Sequence, residues 1–262
     1  MSILLKIAIL IGSVLLCGGL VLIFQIRSSK SIKLLLSYSG AFILALCVFH
    51  LLPEVYEGIS NPILSGCLIL GGFLIQLLLD YISGGIEHGH IHLPEESKTH
   101  HHHNHEHHTH HQSDDFHPVM KSPWLLMTGL CIHALIEGIP LLYGKTGDEL
   151  FMAIIFHNIP ISVMLMTLFL MSGQSALKSM MALFIFSLMT PIGALLASTI
   201  FPSALDISGL FGFGALAVVI GIFLHISTTI LFENDEHHRF NIIKLITILV
   251  GFASAFLLDK QF

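Results

Sequence analysis

Charge is scarce in this chain. Only 11% of its 262 residues are Asp, Glu, Lys or Arg, whereas a soluble domain carries about a quarter. That shortage excludes the ordinary soluble globular class. The Lys and Arg residues form no stripe interleaved with aromatics, so nucleic acid is excluded as a partner. Cysteine is sparse too. Cys17, Cys47, Cys67 and Cys131 each lie inside an apolar stretch, and no C-x-x-C pair occurs. They read as small buried hydrophobes, not as a disulfide framework or a thiolate metal site. An H-E-x-x-H motif is absent as well. The first apolar run, 7–24, follows Lys6 as a signal peptide would. It is longer than a typical h-region, and no small-residue cleavage site precedes Arg27, so a retained first span is expected.

Hydrophobicity takes the place of charge, with 54% of residues apolar. Eight segments are near or above the ~20 residues a membrane-spanning helix needs. They fall near 7–26, 34–52, 63–82, 123–143, 150–171, 175–201, 208–232 and 240–258. Lipid offers no partner to an open sheet edge, so each is expected to be helical. The fold class is therefore an all-α membrane protein with eight transmembrane helices, forming one transmembrane domain over 1–262.

An even number of spans places both termini on one side. With the termini outside, the inner loops hold Arg27, Lys30, Lys33, Lys98, Lys121, Lys178, Arg239 and Lys244, leaving Lys6, Lys145 and Lys260 outside. The excess marks the cytoplasmic side. The chain also repeats weakly. "GFLIQLLLD" (72–80) matches "GFASAFLLD" (251–259) at five of nine positions, and "GAFILALCVFH" (40–50) resembles "GALAVVIGIFLH" (214–225). Corresponding spans cross in opposite senses, which suggests an inverted repeat of spans 1–3 and 6–8 around spans 4 and 5, an arrangement common in transporters.

Ionisable groups at bilayer depth are costly and are site candidates by default. In "HALIEG", His133 and Glu137 are four residues apart, one turn up the same helical face. In "HNIPIS", His157 precedes Pro160. At ~1.5 Å per residue, His133 lies about 14 Å from the inner end of its helix and His157 about 12 Å from the outer end of the next. Both depths approach the midplane, and two imidazoles with a carboxylate suit zinc or a similar divalent ion. The alternative is a buried His133–Glu137 hydrogen-bonded pair with His157 capping a kink at Pro160. Three donors at one depth, on adjacent helices interrupted by Pro140 and Pro160, favour the metal site.

His50, in "HLLPE", reads equally as a guard of the entrance or as an interfacial residue, and His225 as a lining of the exit or a bystander. Asp80 and Asp259 read as solvated helix ends, and Trp124 as an interfacial anchor. Between spans three and four, residues 88–117 carry 13 of the chain's 19 histidines. The densest block comprises His100, His101, His102, His103, His105, His107, His108, His110 and His111. The cytoplasmic segment 87–117 has no apolar pattern and is expected to be disordered without metal, binding ions weakly and exchangeably.

Together these features resemble the ZIP (Zrt/Irt-like) family of divalent-metal transporters. The likeness rests on eight spans, "HLLPE" closing the second, a histidine-rich loop after the third, "HALIEG", "HNIP" and "TPIGALLA" (190–197). It implies a 3+2+3 inverted-repeat helix arrangement, movement of zinc, iron, manganese or a related ion into the cytoplasm, and His133, Glu137 and His157 as core ligands. Two positions depart from the family pattern. Ala134 stands where Asn is usual and Ile161 where Glu is usual, so a second neighbouring metal position is expected to be weakened or absent. Asn158, Ser162 and Thr190 are candidate oxygen ligands beside the core. The expected partners are divalent metal ions and the bilayer, with a homodimer as a further option. Metal is expected as cargo, with no cofactor. An intramembrane zinc hydrolase using Glu137 as base and a transport-dead metal sensor are the competing functions; a six-span cation-diffusion exporter fits poorly.

Overall fold

The computed structural model describes residues 2–24, 29–83, 123–142, 147–200, 210–232 and 242–258. The histidine-rich segment and Asp259 lie outside them. Among the described residues the secondary structure is helical, with no strand. The helices are α1 (Ile3–Phe24), α2 (Ser29–Leu46), α3 (Leu52–Gly58), α4 (Pro62–Ser83), α5 (Pro123–Gly138), α6 (Gly147–Met171), α7 (Ala176–Ile200), α8 (Leu210–Phe232) and α9 (Ile242–Leu258). A π turn at Cys47–Leu51 joins α2 to α3 in one rod, so the described residues form eight rods. Seven are long and apolar enough to cross a membrane, while α9 has 17 described residues. The eight expected spans and the eight rods coincide within a few residues at most ends.

The helix ends follow from local chemistry. Asn61 caps α4, its Oδ1 accepting from the backbone N–H of Ile63 at 3.0 Å and of Leu64 at 3.3 Å, with Pro62 pre-set for the first turn. Between α6 and α7, Gly173 adopts φ +77°, and Gln174 N–H donates back to the Phe169 carbonyl at 3.1 Å. This Schellman closure and the Ser175 start of α7 reverse the chain within a few residues. The π turn has an equally local cause. Pro53 cannot supply the amide that a regular turn would use, and the Leu52 N–H bonds instead to the Cys47 carbonyl, five residues back.

Contact between helices divides them into two groups. In one, α5 packs on α7, and α1 packs on both α6 and α7. In the other, α4 packs on α8, and α2 packs on α8 and α9. Glycines set the closest crossings. A Cβ on Gly72 would strike the Val218 carbonyl, and one on Gly221 the Ile69 carbonyl, so α4 and α8 touch backbone to backbone. Gly138 meets the Thr190 carbonyl and Gly193 the Leu135 carbonyl in the same way between α5 and α7. The groups join where α2 lies on α6, with Phe42 and Phe156 rings 4.5 Å apart, and where α4 meets α5. Large apolar side chains such as Leu16, Leu74, Leu78, Phe184 and Leu249 remain on the outside, as lipid contact requires.

Candidate metal centre

The first group gathers the three candidate ligands. Helical spacing stacks His133 and Glu137 on one face of α5, and both are fully enclosed, each 0% exposed. α6 brings His157 against them, its ring centroid 5.5 Å from that of His133. One ligand atom from each of the three lies within 4.8 Å of the other two. That convergence is what one small cation needs.

The contact inside the triangle is chemically specific. His133 Nε2 and Glu137 Oε2 are 3.3 Å apart, yet neither atom makes a hydrogen bond and both are buried. A buried polar atom left without a partner costs about 1–3 kcal/mol. The geometry therefore disfavours a structural His–Glu hydrogen bond and suits a cation shared by both atoms. An imidazole–imidazole–carboxylate set matches zinc and leaves a fourth position open to water or to an exchanging ligand.

α7 orients the carboxylate. Thr190 Oγ1–H donates to Glu137 Oε1 at 3.0 Å, which turns Oε2 toward the imidazoles. The close crossing at Gly138 and Gly193 brings this hydroxyl within reach. Of the other oxygen candidates, Asn158 is 3% exposed with an Oδ1 that makes no hydrogen bond. Ser162 donates to the Ile159 carbonyl at 2.7 Å and also neighbours Cys17 of α1. Ile161 is buried, 4% exposed. Phe223 of α8 stands 6.0 Å from the His157 ring and supplies an apolar wall.

The outlying histidines occupy separate places. His50 sits on the π turn, its Nδ1 3.9 Å from Glu149 Oε1 at the start of α6. Beside that pair, Lys6 Nζ reaches Asp148 Oδ1 at 2.7 Å. His225 lies on α8 with its Nδ1 3.3 Å from Asp80 Oδ2 and its ring against Phe73. Asp80 corrects the expectation of a solvated helix end, because it is only 7% exposed. α4 is pressed onto α8 through Gly72 and Gly221, and two turns beyond Gly72 that contact encloses the carboxylate. Trp124 is 44% exposed and packs edge-on against Phe169.

Two partners were missed in the sequence. Glu149 faces His50. Gln76, 0% exposed in α4, holds its Oε1 3.1 Å from His133 Nδ1 and donates from Nε2 to Asp80 Oδ1 at 3.1 Å. An amide in the middle of an apolar span, four residues before an acid, was the available signal.

No curated protein matches the chain significantly. The family profile described as ZIP Zinc transporter matches residues 1–259, a stretch that includes every helix and every candidate ligand above. The chain therefore belongs to the ZIP zinc transporter family and is a multi-pass membrane protein of divalent-metal transport.

Proposed function

We propose that the protein carries zinc, or a closely related divalent cation, into the cytoplasm, and that His133, Glu137 and His157 bind the ion in transit. The approach of His133 Nε2 to Glu137 Oε2 without a hydrogen bond, inside a ligand triangle of 4.8 Å, carries this reading. Thr190 orients the carboxylate, while Asn158 and Ser162 offer weaker oxygens alongside. His50 with Glu149 lies on the entrance side of this path, and His225 with Asp80 on the exit side. The excess of Lys and Arg in the loops supports external termini and a cytoplasmic histidine segment. There, the imidazoles of 100–111 would take up arriving ions without one fixed geometry.

The 3+2+3 inverted repeat is part of the same proposal. Exchanging spans 1–3 with 6–8, and span 4 with 5, maps the α4–α8 packing onto α9–α2. The same exchange maps α1–α6 onto α7–α5, and all four contacts are present. The path lies within one chain, so homodimer formation is not required for it. Nothing in the site favours the hydrolase: cargo binding needs only reversible ligation, and family membership points to transport.

Uptake into proteoliposomes, measured with a panel of divalent ions, tests the function. Zinc accumulation that saturates and is lost in Glu137→Ala is the expected result. Zinc binding without any flux would establish the sensor instead, and substrate cleavage without flux the hydrolase.

A further inference from the structure

The seam between the helix groups carries a buried polar chain, His225–Asp80–Gln76–His133, in which Gln76 is not one of the candidate ligands. Gln76 is enclosed in α4 and bridges Asp80 Oδ1 and His133 Nδ1, each at 3.1 Å. The direction of this chain can be worked out. Asp80 as a carboxylate only accepts hydrogen bonds, so the amide must turn its NH2 toward Asp80. The amide oxygen, also only an acceptor, then faces the imidazole. His133 Nδ1 must accordingly carry the ring proton. A neutral imidazole has one such proton, so the lone pair is left on Nε2. Nε2 is the nitrogen that stands 3.3 Å from Glu137 Oε2 in the ligand triangle.

We infer that Gln76 is a positioning residue that selects the Nδ1–H tautomer of His133 and thereby presents Nε2 to the metal, with Asp80 anchoring the amide. The inference rests on His133 being a ligand. It extends a familiar arrangement in which a carboxylate or carbonyl fixes a metal-binding imidazole, and loss of such a partner costs about 10–100-fold in metal affinity. Here an amide is interposed between acid and imidazole. It fixes the tautomer without setting a second negative charge against a site that already holds Glu137. The partner also comes from the other helix group. α5 carries the ligand, and α4 decides which of its nitrogens is available.

The experiment uses the full-length protein in lipid nanodiscs. The tautomer of His133 is read in the metal-free state from the 15N ring signals of histidine-labelled protein, assigned by comparison with His133→Ala. Zinc affinity is read in competition with a chelator, so that only the tight site registers. Gln76→Leu removes both hydrogen bonds at similar volume. The exchange Gln76→Glu with Asp80→Asn reverses which residue supplies the carboxylate, yet keeps an acceptor facing Nδ1–H and an N–H joining the two side chains. The expected result is loss of the pure Nδ1–H signature and a 10–100-fold weaker zinc Kd in Gln76→Leu, with the exchange restoring the signature and affinity to within about threefold. An unchanged signature in Gln76→Leu would overturn the inference. So would an exchanged protein that is as stable as the original but still lacks the signature. Wild-type zinc affinity in His133→Ala is a different failure. It would remove the ligand reading, whereas the metal-free ring signals would still report on Gln76.

Discussion

The two helix groups are built alike and equipped differently. Each contains a pair of helices crossing backbone to backbone at two glycines, Gly72 and Gly221 in one, Gly138 and Gly193 in the other. In the α5–α7 pair the crossing serves chemistry, because it lets Thr190 reach the carboxylate of Glu137. In the α4–α8 pair it encloses Asp80 and His225, 3.3 Å apart, and Gln76 links Asp80 to the ligand His133. The same packing device thus builds a ligand cluster on one side of the seam and a support for one ligand on the other. Glu137 Oε1 and His133 Nδ1 have hydrogen-bond partners, whereas His133 Nε2 and Glu137 Oε2 make no hydrogen bond, the costly arrangement that marks a ligand site at bilayer depth.

The largest effect expected from breaking this contrast is on the ligand side. Replacing His133, Glu137 or His157 with Ala should lower initial zinc uptake in proteoliposomes by 100-fold or more, with normal membrane insertion. Wild-type uptake in Glu137→Ala would remove the carboxylate from the site. Next come the glycines. Gly193→Val and Gly72→Val should each destabilise the protein by about 1–3 kcal/mol through overpacking, measured as a lower thermal midpoint in detergent. Gly193→Val should also weaken zinc affinity more in the fraction that remains folded, since it separates α7 from α5 directly, whereas Gly72→Val reaches the ligands through Gln76. Equal affinity losses in the two would show that the helix groups are not separable in this way.

A smaller change follows from adding a donor. Ile161 is buried one turn beyond His157, and Ile161→Glu should tighten zinc binding roughly tenfold and slow release, on the scale of a charge-assisted contact of 1.5–3 kcal/mol. Unchanged stoichiometry and affinity, measured by calorimetry, would mean that this position does not face the ions. The smallest effect belongs to the histidine block. Deleting 100–111 should leave initial uptake close to wild type while reducing the number of weakly bound ions counted by equilibrium dialysis. Complete loss of uptake in a well-inserted deletion protein would make the block an obligatory part of the path.

Much of this could be read before any coordinates. Apolar length alone located the rods, because hydrocarbon thickness sets helix length. His133 and Glu137 were legible through helical periodicity, and His157 through its depth in the next span. What stayed hidden depends on how each helix is rotated about its axis. Asp80 ends a long apolar run and so reads as a solvated terminus; only its neighbour α8 makes it internal. Gln76 was overlooked for a related reason. It carries no charge, and its importance lies in two partners that sequence distance separates from one another, Asp80 one turn away and His133 57 residues on.

The π turn at Cys47–Leu51 has a consequence for angular phase. Seven residues of regular α-helix return to within about 20° of the starting direction, so Glu54 would lie beneath the buried Cys47 and point its carboxylate into the core. The wider turn delays the rotation by about one residue. Val55, at 0% exposure, takes the inward direction instead, followed by Ile59 at 2%, and Glu54 moves to the half-exposed flank. One proline, by denying a single amide to the helix, thus re-indexes the whole outer end of the rod. Winding the same residues as a regular α turn would rotate everything beyond it by about 100°, exchanging a valine for a carboxylate at the same radius.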